Sequence, residues 1–211
     1  MVLRWSNNFE LLVAIILSAQ CTDKKVNEVT ATLFPTYRLE QPEWKHKYQN
    51  YTRTPLKREE IVELVNFATV PLSKLEQDIK STGFYHNKAK SIKSAAIKIL
   101  ETFQGVIPKT ITELTTIPGV GRKTANVFLT NAYHIDEGIA VDTHVKKQAL
   151  LLGLTRQTNP NKIEQDLMRL FPHNQWHDIT YLLIEHGRNM RKKKTDRISC
   201  KIFDCPLGDG K

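Results

Sequence analysis

Apolar residues recur along most of this chain at intervals of three and four, the spacing that lines one face of a helix. Residues 9–19 are apolar on most faces and predict a buried helix. A second helix is predicted from Thr22-Asp23 to about Phe34, with Val26, Val29, Thr30 and Leu33 inward and Pro35 as its stop. Residues 58–69 carry a stripe of Ile61, Leu64, Val65 and Ala68, and residues 72–81 one of Leu72, Leu75 and Ile79. Gly83 permits a turn that leaves Phe84 and Tyr85 on an exposed corner. Over 89–103, Ile92, Ala96, Ile99 and Leu100 read as inward, and Lys88, Lys90, Lys93 and Lys98 as outward. A short helix over 110–116 and another ending near Ala132 follow, then amphipathic stretches at 144–152, 160–170 and 174–188. No segment alternates with period two and no repeat is present, so the predicted class is all-α. Residues 36–57 are the least regular, with Tyr37, Trp44, Tyr48 and Tyr51 interleaved with Lys45, Lys47 and Arg53. Such interleaving suits stacking on nucleic acid; a surface excursion with its aromatics tucked onto the body is the favoured reading.

Composition narrows the partners. The formal charge is +9, from 31 basic and 22 acidic side chains over 211 residues. An excess of that size tilts toward a polyanion such as nucleic acid. Three cysteines, an odd number without framework spacing, point to a reducing compartment. The apolar run at 11–17 is too short to span a bilayer, and Gln20 is not the small residue that a leader cleavage site needs. A soluble, intracellular chain that binds no membrane is expected.

The stretch 114–144 holds the candidate chemistry. Pro118-Gly119 ends one short helix, and Gly121 is expected to supply a tight turn with positive φ. Arg122, Lys123 and Thr124 then open a helix whose free N–H groups and dipole suit a phosphate. Lys123 stands where a helix start, the cation of Arg122 and partial burial would all disfavour an ammonium, as an amine nucleophile requires. Asp142 follows the apolar Ile139-Ala140-Val141 and precedes Thr143. It either caps the next helix or is the carboxylate that works with the amine.

These residues carry a resemblance. Leu114 to Lys123 and Val141 to His144 are similar to the helix-hairpin-helix, Gly/Pro-Asp DNA glycosylases, and within them to the endonuclease III branch. So are Leu17-Ser18-Ala19-Gln20-Cys21-Thr22-Asp23, Gly83-Phe84-Tyr85-His86-Asn87-Lys88-Ala89 and Ile184-Glu185-His186-Gly187-Arg188, in the family's order. The resemblance implies two helical domains, about 1–132 with the hairpin and 133–211, and a DNA cleft between them. It implies base excision repair with abasic-site lyase activity on oxidised pyrimidines in double-stranded DNA, by a monomer. Lys123 would form the Schiff base and Asp142 would assist it. Gln20 would enter the space left by a flipped nucleotide, or else cap its helix. Phe84 would wedge the stack, or else secure the turn by an apolar contact. Tyr85, Lys88, Gly119, Val120, Gly121, Arg122, Thr124 and His144 would face DNA. A related glycosylase with mismatch specificity and a non-catalytic helix-hairpin-helix DNA-binding module are the alternatives, and the pairing of Lys123 with Asp142 counts against the second.

Three departures from the family stand out. Relatives usually close with four spaced cysteines that ligate an iron–sulfur cluster; this tail has only Cys200 and Cys205, with Arg191 near the first ligand's place. No cluster is therefore expected, and no other cofactor or metal. The basic run Arg191, Lys192, Lys193, Lys194 and Arg197 persists, either as a solvated tail or as a phosphate-contacting loop. Residues 36–57 look like an insertion. Relatives usually carry a further helix before residue 9, which leaves part of the second domain unaccounted for or points to a misassigned gene start.

Overall fold

The computed structural model describes residues 2–42 and 55–192. Trp44, Lys45, Lys47, Tyr48, Tyr51 and Arg53 lie outside the described residues, as do Lys193, Lys194, Arg197, Cys200 and Cys205. Every regular element among the described residues is helical: α1 (Asn8–Ser18), α2 (Asp23–Tyr37), α3 (Arg58–Thr69), α4 (Leu72–Ile79), α5 (Tyr85–Phe103), α6 (Ile111–Leu114), α7 (Arg122–Tyr133), α8 (Thr143–Leu151), α9 (Pro160–Leu170) and α10 (Trp176–Lys192). A 3-10 turn at Lys80–Thr82 extends α4. No helix among the described residues is long and apolar enough to cross a membrane. The chain divides into two compact units, one through Phe128 and one from Leu129.

In the first unit α1 is the central rod. Nine consecutive residues, Phe9 to Leu17, are buried on all its faces, which is why no polar stripe interrupts its sequence. Phe67 of α3 packs edge-on to Phe9 and stacks on Tyr37 at 4.2 Å. The Asn66 amide donates to the carbonyls of Tyr37 and Leu39 at 2.7 and 2.9 Å, which closes the end of α2. That helix runs through Pro35 to Tyr37 instead of stopping. Pro35 and Ala31 are both exposed, so the helical bond that proline removes falls on the solvent side of the helix.

The α5 helix also differs from its expected course. It begins at Tyr85, four residues earlier than its apolar pattern suggests. Lys88 is buried and Lys93 is half-buried, not outward. The Lys93 ammonium donates to the carbonyls of Ala68 and Val70 at 2.8 and 2.6 Å, at the end of α3. A cation is favoured there, beside carbonyls that have no intrahelical donor.

The second unit has its own core of Ile139, Val141, Val145, Ala149, Ile163, Leu167, Ile179 and Leu183. Gly187 lets α10 approach α8: a Cβ there would stand 2.7 Å from the Gln148 amide nitrogen. The Gln148 carbonyl oxygen lies 3.1 Å from Nδ1 of the buried His186.

Candidate functional site

The hairpin begins with a capped turn. The Thr110 hydroxyl accepts from the Glu113 N–H at 3.2 Å, which starts α6. The chain then reverses at 117–120, where the Val120 N–H donates to the Ile117 carbonyl at 3.0 Å. Pro118 and Gly119 occupy the middle of this turn, and Gly119 has φ +82°. Proline followed by a left-handed glycine is the chemistry of a type II turn. The positive φ expected of Gly121 therefore falls on Gly119. A Cβ on Gly119 would come within 2.6 Å of the Ser91 Cβ, so the turn also lies against α5. Gly121 is exposed, with open space around it, and its carbonyl accepts the first bond of α7 from Ala125 at 2.9 Å. Its role is to open the helix rather than to permit strain.

Among the hairpin residues expected to face DNA, Val120 does not present its side chain. It is buried, and its N–H is used inside the turn. Arg122 and Thr124 are half-buried. Lys123 is exposed rather than partly buried, because the buried face of this first stretch of α7 belongs to Ala125 and Phe128.

A cleft of about 250 Å³ in the same unit gathers Gln20, Phe84, Lys88, Ser91, Gly119 and Thr124, with Asn87 and the end of α1. Gln20 and Phe84 both hold left-handed backbone, with φ 53° and 49°. That region is unusual for residues with a side chain, and more so for an aromatic one. Two alternatives left by the sequence separate here. The last four carbonyls of α1 all have donors: the Ser18 hydroxyl on Ile15, the Ala19 N–H on Ile16, the Lys88 ammonium on Leu17 and the Cys21 N–H on Ser18. Capping thus makes no demand on the exposed Gln20 amide. Phe84 is 65% exposed, so it is not the apolar contact that secures the turn. Its neighbour Tyr85 is half-buried beside His86.

Lys88 departs furthest from its expected place. Its ammonium is inside, donating to the carbonyls of Leu17 and Thr82 at 2.9 and 2.8 Å. Burial pushes its pKa down, and the nearby Cys21 acts weakly the other way. The signal was present in the spacing. Lys88 lies four residues before Ile92 and seven before Ala95, on the inward stripe, and only its charge suggested an outward direction.

In the second unit Asp142 is the N-cap of α8. One carboxylate oxygen, Oδ1, accepts from the N–H groups of His144 and Val145, both at 2.8 Å. Ile139, Ala140 and Val141 are buried before it, and His144 is half-buried after it. Arg191 and Lys192 fall in the last turn of α10. Among the described residues no group of three or more His, Cys, Asp or Glu side chains is placed to hold a metal ion.

Residues 13–173 match the family model described as HhH-GPD superfamily base excision DNA repair protein. The chain is 45% identical over 179 residues to the endonuclease III of Synechocystis sp., covering 85% of this chain and 71% of that relative. It is 40% identical over 203 residues to the endonuclease III of Bacillus subtilis, covering 96% and 80%. Its fold is similar to a solved structure of a trapped endonuclease III–DNA covalent intermediate, with a TM-score of 0.73, 36% identity, and coverage of 97% of this chain and 83% of that one. The chain belongs to the HhH-GPD superfamily of base excision DNA repair proteins, in its endonuclease III branch, and is a DNA glycosylase with abasic-site lyase activity.

Proposed function

We propose that this enzyme, acting as a monomer on double-stranded DNA, removes oxidised pyrimidines and cuts the resulting abasic site, with Lys123 as its nucleophile. One observation carries the reading. Gly119 and Thr124, on either side of Lys123 in the chain, line the same cleft as Gln20 and Phe84. The first turn of α7 holds a phosphate through its backbone N–H groups. Phe84 wedges the base stack and Gln20 fills the space left by the extruded nucleotide. The Lys123 amine then attacks the sugar C1′ as the bond to the base breaks. The base leaves with the electron pair, and the positive charge that develops on the sugar is stabilised by the Asp142 carboxylate. Loss of a proton from nitrogen and opening of the sugar ring give the imine. It acidifies the C2′ proton; removal of that proton expels the 3′ phosphate oxygen with its electron pair, and the strand is cut. A protein that hydrolysed the base with water alone would have no use for an amine in this position.

The iron–sulfur cluster usual in this branch does not fit the donor set of this chain, and we infer that it is absent. Two tail thiols, Cys200 and Cys205, fall short of the four that such a cluster takes. Cys21 follows Gln20 in the α1–α2 connection, and the buried His186 is engaged with Gln148. Protein purified without oxygen should contain no stoichiometric iron or acid-labile sulfide; finding both, and losing them on replacing Cys200 and Cys205, would overturn this.

The reaction is tested by borohydride reduction in the presence of abasic-site DNA. A covalent adduct that maps to Lys123 is expected. An adduct on another lysine, or cleavage with no adduct, would reject the mechanism.

A further inference from the structure

Lys88 links the two loops that hold Gln20 and Phe84. It is 5% exposed, so its ammonium has left water. Its acceptors are carbonyls at the ends of two different helical segments, Leu17 in the last turn of α1 and Thr82 at the end of the 3-10 turn. The negative ends of those segments offset the loss of hydration. Its own backbone N–H donates to the Phe84 carbonyl at 3.2 Å. Gln20 lies three residues beyond Leu17 and Phe84 two residues beyond Thr82, both in left-handed backbone that neighbouring structure must maintain. Burial, which pushes the Lys88 pKa down, would favour an uncharged side chain of similar length for simple filling. Such a side chain would leave the Leu17 and Thr82 carbonyls without this donor.

We propose that Lys88 is a positioning residue whose buried ammonium joins the Gln20 and Phe84 loops into one rigid jaw, so that both side chains enter the duplex together. This rests on the reading of those two residues given above. Lys88 thereby moves from the DNA-facing set to the support behind it. It acts through Gln20 and Phe84 and touches no reacting atom.

The test compares the wild-type protein with Lys88→Met and Lys88→Arg, below their melting temperatures. Borohydride trapping is timed on an abasic site in duplex and in single-stranded DNA. Unstacking is followed by the fluorescence of 2-aminopurine beside a tetrahydrofuran abasic analogue in a duplex. In Lys88→Met the duplex-to-single-strand ratio of trapping rates should fall at least tenfold, and the fluorescence rise on binding should be lost. Lys88→Arg, which keeps a cation with several donors, should recover a substantial part of both. Equal slowing on both substrates, or an unchanged fluorescence rise, would overturn the proposal. Where Lys88→Met does not fold, Lys88→Gln replaces it and the same ratio decides. Failure of the wild-type protein to form the adduct would instead reject the lysine mechanism, while the fluorescence comparison still decides the role of Lys88.

Discussion

Two helix starts, one in each unit, hold the two residues proposed for catalysis, and they are built in opposite ways. At α7 the residue before the helix is Gly121, which has no side chain to cap with, and Lys123 stands exposed in the first turn. At α8 the preceding residue is Asp142, whose Oδ1 takes the N–H groups of His144 and Val145. The second start satisfies two of its first-turn N–H groups with its own side chain, and the glycine before the first has no side chain to do so. A helix start therefore does not by itself make an anion site, because the side chain at the cap position decides. It also follows that Asp142 has a structural duty apart from any chemistry, whereas an exposed Lys123 has no comparable one. Substitutions at the two positions should separate accordingly.

The largest effect is expected at α7. Lys123→Gln should abolish borohydride trapping while the melting temperature and duplex affinity stay close to wild type, since the exposed side chain supports no packing. A variant that traps at an undiminished rate would assign the amine elsewhere. At α8 the duties can be divided. Asparagine caps about as well as aspartate, and losing a cap costs about 1 kcal/mol. Asp142→Asn should then keep its stability and lose base excision by tenfold or more, whereas Asp142→Ala should lose both. If Asp142→Asn remains fully active, the carboxylate serves only as a cap and the two starts do not share a reaction.

The glycines sharpen the contrast on the hairpin itself. Gly119→Ala forces a Cβ into left-handed backbone and to within 2.6 Å of the Ser91 Cβ. Strain of the first kind alone costs about 1 to 3 kcal/mol. Gly121→Ala meets open space at ordinary φ and exchanges one cap for a poorer one, a cost of about 1 kcal/mol or less. Urea unfolding of both variants measures the difference. Equal losses would mean that the turn is not held as its hydrogen bond and its contact with Ser91 indicate.

Much of this was legible in the chain. The all-helical class and the stripe of α3 follow from periodicity, as does that of α4 except for Leu72, which is exposed, and α1 follows from its apolar run at 11–17. The hairpin and its lysine were legible too, because Pro-Gly punctuation and a helix start are local. Besides the earlier start of α5, the half-buried Lys93 and the exposed Lys123, three features differ for a physical reason. Proline suggests a stop at Pro35, but whether proline ends a helix depends on where the lost bond lies, and here Pro35 and Ala31 are both exposed. The positive φ expected of Gly121 belongs to Gly119, which proline at the preceding position marks as the left-handed member of a type II turn. Lys88 was turned outward by its charge against its own spacing, since its acceptor on Leu17 is 71 residues away and no local pattern shows it. The left-handed backbone of Gln20 and Phe84 has no sequence signal at all.

A third helix start, that of α1, extends the comparison to a buried charge. Asn7 caps it: its side-chain oxygen accepts from the Glu10 N–H at 2.9 Å, and its amide donates to Oε2 of Glu63 at 2.7 Å. Glu10 and Glu63 are both fully buried. Glu10 pairs with Arg38 and accepts from the Ser6 N–H, while Oε1 of Glu63 has no partner unless the carboxyl is protonated and donates to Glu10. Burial, and then the charge of Glu10, push the Glu63 pKa up to about 8, against the opposing pull of Asn7 and Arg38. The folded chain thus keeps a proton on Glu63 that the unfolded chain releases near its ordinary value of 4.5. Between those values folding takes up a proton, so stability from this group is complete below pH 4.5 and is lost as pH rises through about 8. Glu63→Gln keeps the shape and a donor toward Glu10 without titrating. Near pH 8 it should be more stable than wild type, read as a higher Tm. That gain should shrink toward pH 5, where the unfolded wild-type carboxyl is increasingly protonated as well. Titrating histidines are common to both proteins and cancel in the difference. A Tm difference that does not change between pH 5 and pH 8.5 would show that Glu63 is already ionised in the folded protein, and that the start of α1 holds two carboxylates on one arginine.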